Sequence, residues 1–186
     1  MAPNKPHPFY SPLDSSLEQI RLLEITTPTP APSKIRDKWR AVRKRGTGSV
    51  LVERYFEPLR KVECRVHTVS LKDKPAFCAL SYVWGDPNVT KPIVVEGKRI
   101  QVTTNLANAL CYLRSHWALE NPDLDPSEFR IWADVISINQ LDVEERSAQV
   151  AIMGRIYNAA SQVYAWLGKS DPHVEAAVRI YRRISE

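Results

Sequence analysis

Residues 131–146 read IWADVISINQLDVEER and decide the fold class of this chain. The first part is an apolar run, which predicts a buried strand over residues 129–138. This run contains one acid, Asp134, and ends at Asn139 and Gln140, after which a helical pattern begins with a pair of acids. A buried carboxylate is costly without a partner, and open α/β sheets usually bind ligands where a strand gives way to a helix. This corner is therefore the first candidate for a functional site.

Strand and helix patterns alternate on both sides of this corner. Strands are predicted at residues 62–71, 77–84, 129–138 and 162–167, a hairpin at 93–103, and helices at 105–117, 143–160 and 173–184. Such alternation predicts an α/β fold in which helices flank a mostly parallel sheet. The hairpin, which turns at Glu96-Gly97-Lys98, is then a local antiparallel addition.

The first part of the chain has a different composition from the rest. Half of the fourteen prolines lie in the first 32 residues, and proline continues neither a helix nor a central strand. Residues 1–48 are therefore predicted to be an N-terminal extension, a Pro-rich and basic arm with one ordered segment at residues 17–25. Residues 49–186 are predicted to be the globular domain, which can be the first part of a longer protein.

The net charge of +5 is concentrated in the run that begins at Lys34 and ends at Arg45. Two interpretations stay open for it. It is either a solvated linker or helix face, or a contact for an acidic membrane surface or for nucleic acid. Because no nucleic-acid-binding module accompanies the run, we expect no specific nucleic acid as a partner.

Several classes of protein are disfavoured by the sequence. It contains no apolar run of transmembrane length and no apolar segment typical of a secretory signal, so we expect a cytoplasmic protein. The three widely spaced cysteines are expected to be buried and reduced. The four histidines lack the spacing of metal ligands, so no metal site is expected.

Several long motifs follow one another along the chain: ALSYVWGD at 79–86, VTTNLANALCYLR at 102–114, IWADVISINQLDVEERSAQVAIMGRIYNAA at 131–160 and VYAWLG at 163–168, with IRLLEI at 20–25 upstream. In their sequence and order these motifs resemble the HET (heterokaryon incompatibility) domain of filamentous fungi. The resemblance implies an intracellular module of fungal non-self recognition and innate immunity that triggers cell death. HET domains are also thought to be remote relatives of TIR domains. This implies a TIR-like, flavodoxin-like sheet and, because some TIR domains cleave NAD, NAD as a candidate substrate with no cofactor required.

The resemblance implies Glu145 as the catalytic carboxylate, because TIR enzymes carry theirs on the helix after a central strand. Arg146, which follows it in the HET pattern, would orient this carboxylate or contact a phosphate. One carboxylate can suffice in principle, since nicotinamide is cationic in NAD and leaves as a neutral molecule. The alternative is that Glu144 and Glu145 are only first-turn acids that interact favourably with the helix dipole.

Further polar and aromatic residues border the same predicted crevice. Asp134 is either a second catalytic carboxylate or part of a structural network, bonded to backbone or to an arginine such as Arg146 or Arg155. Asn139 and Gln140 either bind ribose or amide groups or cap the turn. The remaining candidates for nucleotide binding are Ser81, Tyr82, Trp84 and Asp86, of which the two aromatic residues are alternatively core residues. Neither a G-x-G-x-x-G motif nor a P-loop is present.

A second function class fits the same residues. The domain can be a non-catalytic interaction module, in which the polar corner supports the fold and death signalling runs through self-association. In either case we expect self-association and an upstream recognition protein or regulatory domain as partners.

Overall fold

A computed structural model describes residues 9–26, 61–121 and 124–168 of the chain. The strands in these segments are β1 Gln19–Ile25, β2 Glu63–Ser70, β3 Cys78–Tyr82, β4 Thr90–Val95, β5 Lys98–Thr103, β6 Arg130–Trp132 and β7 Gln162–Trp166. The α-helices are α1 Thr104–Glu120, α2 Asp134–Ser137 and α3 Val143–Ala159. The basic run from Lys34 to Arg45 and the predicted helix at 173–184 lie outside the described residues.

The strands form one mixed sheet in the order β5-β4-β2-β1-β6-β3-β7. The α/β class is thus confirmed, whereas a mostly parallel sheet was the wrong expectation. Strand β1 is antiparallel to both β2 and β6, and β4 is antiparallel to β5. The parallel pairings are β2 with β4, β3 with β6 and β3 with β7. The sequence pattern did not reveal that β1 belongs to the sheet, and its two antiparallel pairings make the sheet mixed.

Strand β1 occupies the middle of the sheet although the sequence placed it in the N-terminal arm. Its sequence, QIRLLEI, is buried from Ile20 to the end of the strand. Buried apolar residues on both sides of a strand are typical of the interior of a two-faced sheet. The division of the chain at residue 48 stays a prediction, because residues 27–60 lie outside the described segments.

Each face of the sheet carries its own apolar core. On one face Leu23 and Ile25 of β1 belong to a cluster with buried residues of α1. On the other face Ile20 and Leu22 belong to a cluster that includes Ile156 of α3. The two helices therefore cover opposite faces, and the ends of the strands stay open for a site.

The hairpin is confirmed, but the strand predicted at 129–138 is shorter than expected. Glu96 and Gly97 turn the hairpin with φ values of 48° and 71°, the left-handed region that two-residue hairpin turns favour. Strand β6 ends at Trp132, and the next residues form the single turn of α2. The Ser137 side chain accepts a hydrogen bond from the Ala133 N–H at 3.1 Å. Such local side-chain bonds compete with strand pairing.

Candidate functional site

The carboxyl ends of three neighbouring parallel strands form the candidate site. Strand β3 lies between β6 and β7, so the residues that follow these strands emerge at one edge of the sheet, where α/β proteins commonly bind ligands. Asp134 follows β6 and Trp84 follows β3. The Trp84 indole Nε1 donates a hydrogen bond to Asp134 Oδ2 at 3.0 Å. The structure therefore brings together two residues that the sequence assigned to this crevice.

Asp134 is a half-buried carboxylate at the start of α2. Its Oδ1 accepts a hydrogen bond from the Val135 N–H at 2.7 Å, and its backbone carbonyl accepts one from Gln140 Nε2 at 3.1 Å. Of the alternatives for Asp134, bonding to backbone is observed. The arginines considered as its partners bond elsewhere: Arg146 to the Gln140 carbonyl at 3.1 Å and Arg155 to Glu18.

The charge of Asp134 helps to raise the pKa values of two nearby tyrosines. The pKa of Tyr82 is raised by burial and, after that, by the negative charge of Asp134. Burial and the same carboxylate also raise the pKa of Tyr157, whose hydroxyl donates to the Leu80 carbonyl at 3.3 Å. The buried Tyr82 hydroxyl lies close to this carboxylate, and hydrogen bonding between the two adds to the rise in its pKa. The corner thus combines one carboxylate with three aromatic side chains.

The loop that carries Trp84 is held by Asn105 of α1. Asn105 Nδ2 donates to the Val83 carbonyl at 2.5 Å, and its Oδ1 accepts from the indole N–H of Trp166 at 2.8 Å. Gly85 has a φ of +81°, and a Cβ at this position would lie 3.3 Å from Asn105 Cβ. A side chain at this position would strain the backbone and press on Asn105, so glycine favours the close passage of the loop along α1.

A cleft of about 330 Å³ lies beside this loop. Five of its lining residues have polar side chains, and the full lining is Gly85, Asp86, Val89, Thr103, Thr104, Asn105 and Asn108. Asp86 is an exposed residue whose Oδ1 accepts from the Asn88 backbone N–H at 2.9 Å and from Asn88 Nδ2 at 3.0 Å. The cleft offers hydrogen-bonding groups of the kind that sugar hydroxyls or an amide require.

Glu145 occupies a different environment from Asp134. Its two carboxylate oxygens bind Arg21 Nη1 at 2.6 Å and Nη2 at 2.8 Å, and Oε1 also accepts from the Asn139 N–H at 2.7 Å. The side chains of Arg21 and Glu145 are only 1% and 9% exposed. The partner of Glu145 is therefore Arg21 rather than Arg146, and the carboxylate is engaged within the fold.

The remaining sequence candidates mostly support loops. Asn139 is buried, and its Oδ1 accepts from the Leu141 N–H at 3.3 Å, which is the turn-capping role considered for it. Glu144 lies exposed in the first turn of α3, where Asp142 caps the helix by accepting from the Glu145 N–H at 3.0 Å. Ser81 is exposed on β3. The structure brings Tyr82, Trp84, Asp134 and Gln140 together, but not Glu145.

Sequence reasoning missed Arg21, Asn105 and Tyr157. A usable signal existed for Arg21, since it is an ionisable residue inside the apolar run IRLLEI. The same signal singled out Asp134. Asn105 and Tyr157 fall in the predicted helices at 105–117 and 143–160, and a position in a helix does not by itself predict a contact with a remote loop or strand.

In residues 9–26, 61–121 and 124–168, His, Cys, Asp and Glu side chains form no group of three or more that could hold a metal ion. Among the helices of those segments, none has the length and apolar character needed to cross a membrane.

Comparison with known proteins defines the class of the chain. The family model for the heterokaryon incompatibility protein (HET) domain matches residues 77–186, and the chain belongs to this family. Heterokaryon incompatibility protein 6, OR allele, of Neurospora crassa is 36% identical over 132 residues, which are 66% of this chain and 18% of that protein. The chain therefore spans less than a fifth of the length of this relative. No solved structure matches the chain.

Proposed function

We propose that this HET domain acts in heterokaryon incompatibility as a cell-death effector, and that it does so by cleaving NAD at the nicotinamide–ribose bond. Membership of the HET family supports the first part. The second part rests on the pairing of Trp84 with the half-buried Asp134 at the carboxyl ends of β3 and β6. We assign the reacting carboxylate to Asp134, because the oxygens of Glu145 already bind Arg21 and the Asn139 N–H.

The proposed step needs water and one carboxylate. The bond between ribose C1′ and the pyridinium nitrogen breaks, and its electron pair goes to that nitrogen, so nicotinamide leaves as a neutral molecule. The ribose passes through an oxocarbenium-like cation, which the Asp134 carboxylate stabilises. Water adds to C1′ and releases one proton, first to the carboxylate and then to solvent. The products are ADP-ribose, nicotinamide and one proton.

The neighbours of Asp134 have roles that follow from their contacts. Trp84 fixes one carboxylate oxygen through its indole N–H, and because the residue is 51% exposed its ring can stack on a base. Asn105 holds the Trp84 loop and also lines the cleft. The threonine and asparagine side chains of the cleft provide partners for ribose hydroxyls.

The test is nicotinamide release from NAD by the purified protein, both free and clustered on a multivalent support. Asp134→Asn should lower the rate about 100-fold or more, the usual cost of losing one preorganised electrostatic contact. The matched control is Glu144→Gln, which makes the same acid-to-amide change at an exposed position and should keep the wild-type rate. Equal rates in Asp134→Asn and wild type would remove Asp134 from the proposal, and a clustered wild type that releases nothing would contradict NAD cleavage.

An exposed apolar strip favours a second candidate, which is a non-catalytic module that self-associates. Val83 and Leu167 are 75% and 83% exposed. They follow Tyr82 and Trp166, which are register partners in β3 and β7, so the two side chains belong to neighbouring strand ends. Exposed apolar groups that adjoin one another commonly mark interaction sites.

The two candidates make opposite predictions for cell killing. If self-association carries the signal, the double variant Val83→Glu/Leu167→Glu should abolish killing on overexpression, while Asp134→Asn should leave it intact. If NAD cleavage carries it, Asp134→Asn alone should abolish killing. Size-exclusion chromatography with light scattering should show whether the double variant has lost an assembled state that the wild type forms.

A further inference from the structure

We infer that Arg21, Glu145 and Tyr10 are positioning residues: together they hold helix α2 in the place that presents Asp134 to the site. The inference deepens the proposed function and rests on it where activity is concerned. Its structural part, that these three residues fix the Asp134–Trp84 pair, can be tested without any activity.

Helix α2 is too short to keep its position without contacts from other elements. It has only four residues, Asp134–Ser137, and a single helical turn is unstable in isolation. The last carbonyls of any helix also lack partners within the helix. In α2 two of these carbonyls receive side-chain donors from the N-terminal part of the chain. The Tyr10 hydroxyl donates to the Ile136 carbonyl at 3.0 Å, and Arg21 Nη1 donates to the Ser137 carbonyl at 3.2 Å.

Glu145, in the first turn of α3, also helps to hold the end of α2 in place. It binds the guanidinium of Arg21 through both oxygens, and it accepts the N–H of Asn139, which lies just after α2. Arg21 thus joins β1 to the end of α2 and to the first turn of α3. Gln140, the residue after Asn139, returns to the Asp134 carbonyl. The segment from Asp134 to Gln140 is therefore held at its end by Glu145 and tied back to its first residue by Gln140.

Because the Arg21–Glu145 ion pair is buried, the position of α2 should depend on both of its charges. The Arg21 guanidinium is buried, lies 4.9 Å above the centre of the Tyr10 ring, and also donates to the Ser11 carbonyl. Removing one charge of a buried pair leaves the other without compensation, whereas removing both avoids that penalty. The single changes should therefore displace α2 much more than a paired neutral change that keeps hydrogen-bonding groups in place.

The experiment is a double-mutant cycle in the full chain with Arg21→Gln, Glu145→Gln and the two combined. The paired amides can still donate toward the Ser137 carbonyl and accept from the Asn139 N–H. Two readouts are taken for each protein: the melting temperature, and the emission of Trp84, obtained by subtracting the spectrum of the same protein with Trp84→Phe. NAD cleavage is measured in parallel.

We expect each single change to lower the melting temperature and to shift the Trp84 emission in the direction that Asp134→Asn shifts it. The double variant should recover most of both signals and keep at least about a tenth of the wild-type cleavage, since interaction terms between contacting residues are large. Tyr10→Phe, which removes one hydroxyl, should give a smaller shift of the same sign and keeps the test valid if an Arg21 single variant does not fold. The matched control is Arg155→Met, which breaks the exposed Arg155–Glu18 pair and should change neither the Trp84 emission nor the cleavage rate.

Two outcomes would overturn the inference. The first is wild-type Trp84 emission in every single variant, which would show that the Asp134–Trp84 contact does not depend on how α2 is held. The second is a folded double variant with wild-type Trp84 emission whose cleavage is as low as that of Asp134→Asn, because Glu145 would then act on the substrate itself. If the wild type cleaves no NAD, the proposed function fails, while the emission and the melting temperatures still decide the positioning role.

Discussion

Asp134 and Glu145 are two carboxylates with the same chemistry and different environments. Asp134 is half-buried and bonded to an indole and a backbone N–H, next to two tyrosines whose pKa values it helps to raise. Glu145 is nearly enclosed and bonded twice to a buried arginine. The local sequence could single out both acids but could not rank them, because the ranking depends on Arg21, 124 positions away in the chain.

The first prediction concerns the stability that Glu145 provides. Glu145→Ala should lower the free energy of unfolding by about 3–5 kcal/mol, because it leaves the Arg21 charge buried without a partner. Urea denaturation followed by circular dichroism measures the change. Glu144→Ala, at the exposed neighbouring position, should stay within about 0.5 kcal/mol of the wild type. Similar losses in both variants would show that first-turn acidity, and not the Arg21 pair, is what matters.

The second prediction concerns Cys64 and Cys78, two buried cysteines that form no disulfide within the described part of the chain. Burial raises the pKa of Cys64 to about 12 and that of Cys78 to about 11, from a usual value of 9.0. A raised pKa keeps the thiol protonated, and only the thiolate reacts with alkylating agents. At pH 8 the folded protein should therefore be alkylated by iodoacetamide at these two positions at least about 100-fold more slowly than the protein in urea. Peptide mass spectrometry gives the two rates.

The same pKa values set the sign of a pH dependence. Above pH 9.0 the unfolded chain loses the thiol protons that the folded protein keeps, so the free energy of unfolding should fall as the pH rises toward 11 or 12. The variant Cys64→Ala/Cys78→Ala, compared with the wild type at each pH, should show a smaller fall. An identical pH dependence in both proteins would contradict the assignment to these thiols.

At the level of single elements, the sequence predicted where the chain turns better than how each element ends. Glu96-Gly97 gave the hairpin because few residues other than glycine adopt a positive φ easily. The run at 129–138 predicts a single strand, because apolar runs do not distinguish a strand from a strand followed by one buried helical turn. The decisive contacts, from Tyr10 and Arg21 to the carbonyls of α2, come from a remote part of the sequence.

Two glycines in different elements should respond with opposite signs to alanine. Gly154 lies exposed within α3, and a Cβ there meets nothing within 4 Å. Gly154→Ala should therefore stabilise the protein by about 0.5–1 kcal/mol, because alanine favours the helix. Gly97 also has open space around it but has a φ of +71°, so Gly97→Ala should destabilise by about 1 kcal/mol through backbone strain. Thermal melts of the two variants, run beside the wild type, measure both changes, and equal signs would contradict the explanation.

At the scale of the whole molecule, the feature that the sequence pattern missed is the central position of β1. The α/β class and the two helix-covered faces could be predicted, because each element carries the apolar spacing of its own surface. The order of the strands could not, because the sequence indicated QIRLLEI only as an ordered segment of the N-terminal arm and gave no sign of its neighbours. The family model begins at residue 77, yet β1 and β2 lie inside the same sheet as the matched segment.

This position predicts that a fragment of residues 61–186 does not fold as residues 9–186 do. Without β1, strands β2 and β6 each lose their partner on the inner side, and Glu145 loses Arg21. The shorter fragment should show no cooperative thermal transition by circular dichroism and should bind a dye that reports exposed apolar surface. The fragment of residues 9–186 is the control and should melt in one transition. A cooperative transition in the shorter fragment would show that β1 is dispensable.

The central place of β1 also has a consequence for biosynthesis. As the chain leaves the ribosome, β1 can pair with β2 once residue 70 has emerged, but its other edge has to wait for β6, about 60 residues later. During that interval a strand with four apolar residues in seven presents unpaired backbone groups, which is the kind of edge that recruits other chains. Expression of this domain should therefore depend on chaperone supply and on the rate of translation between residues 70 and 132.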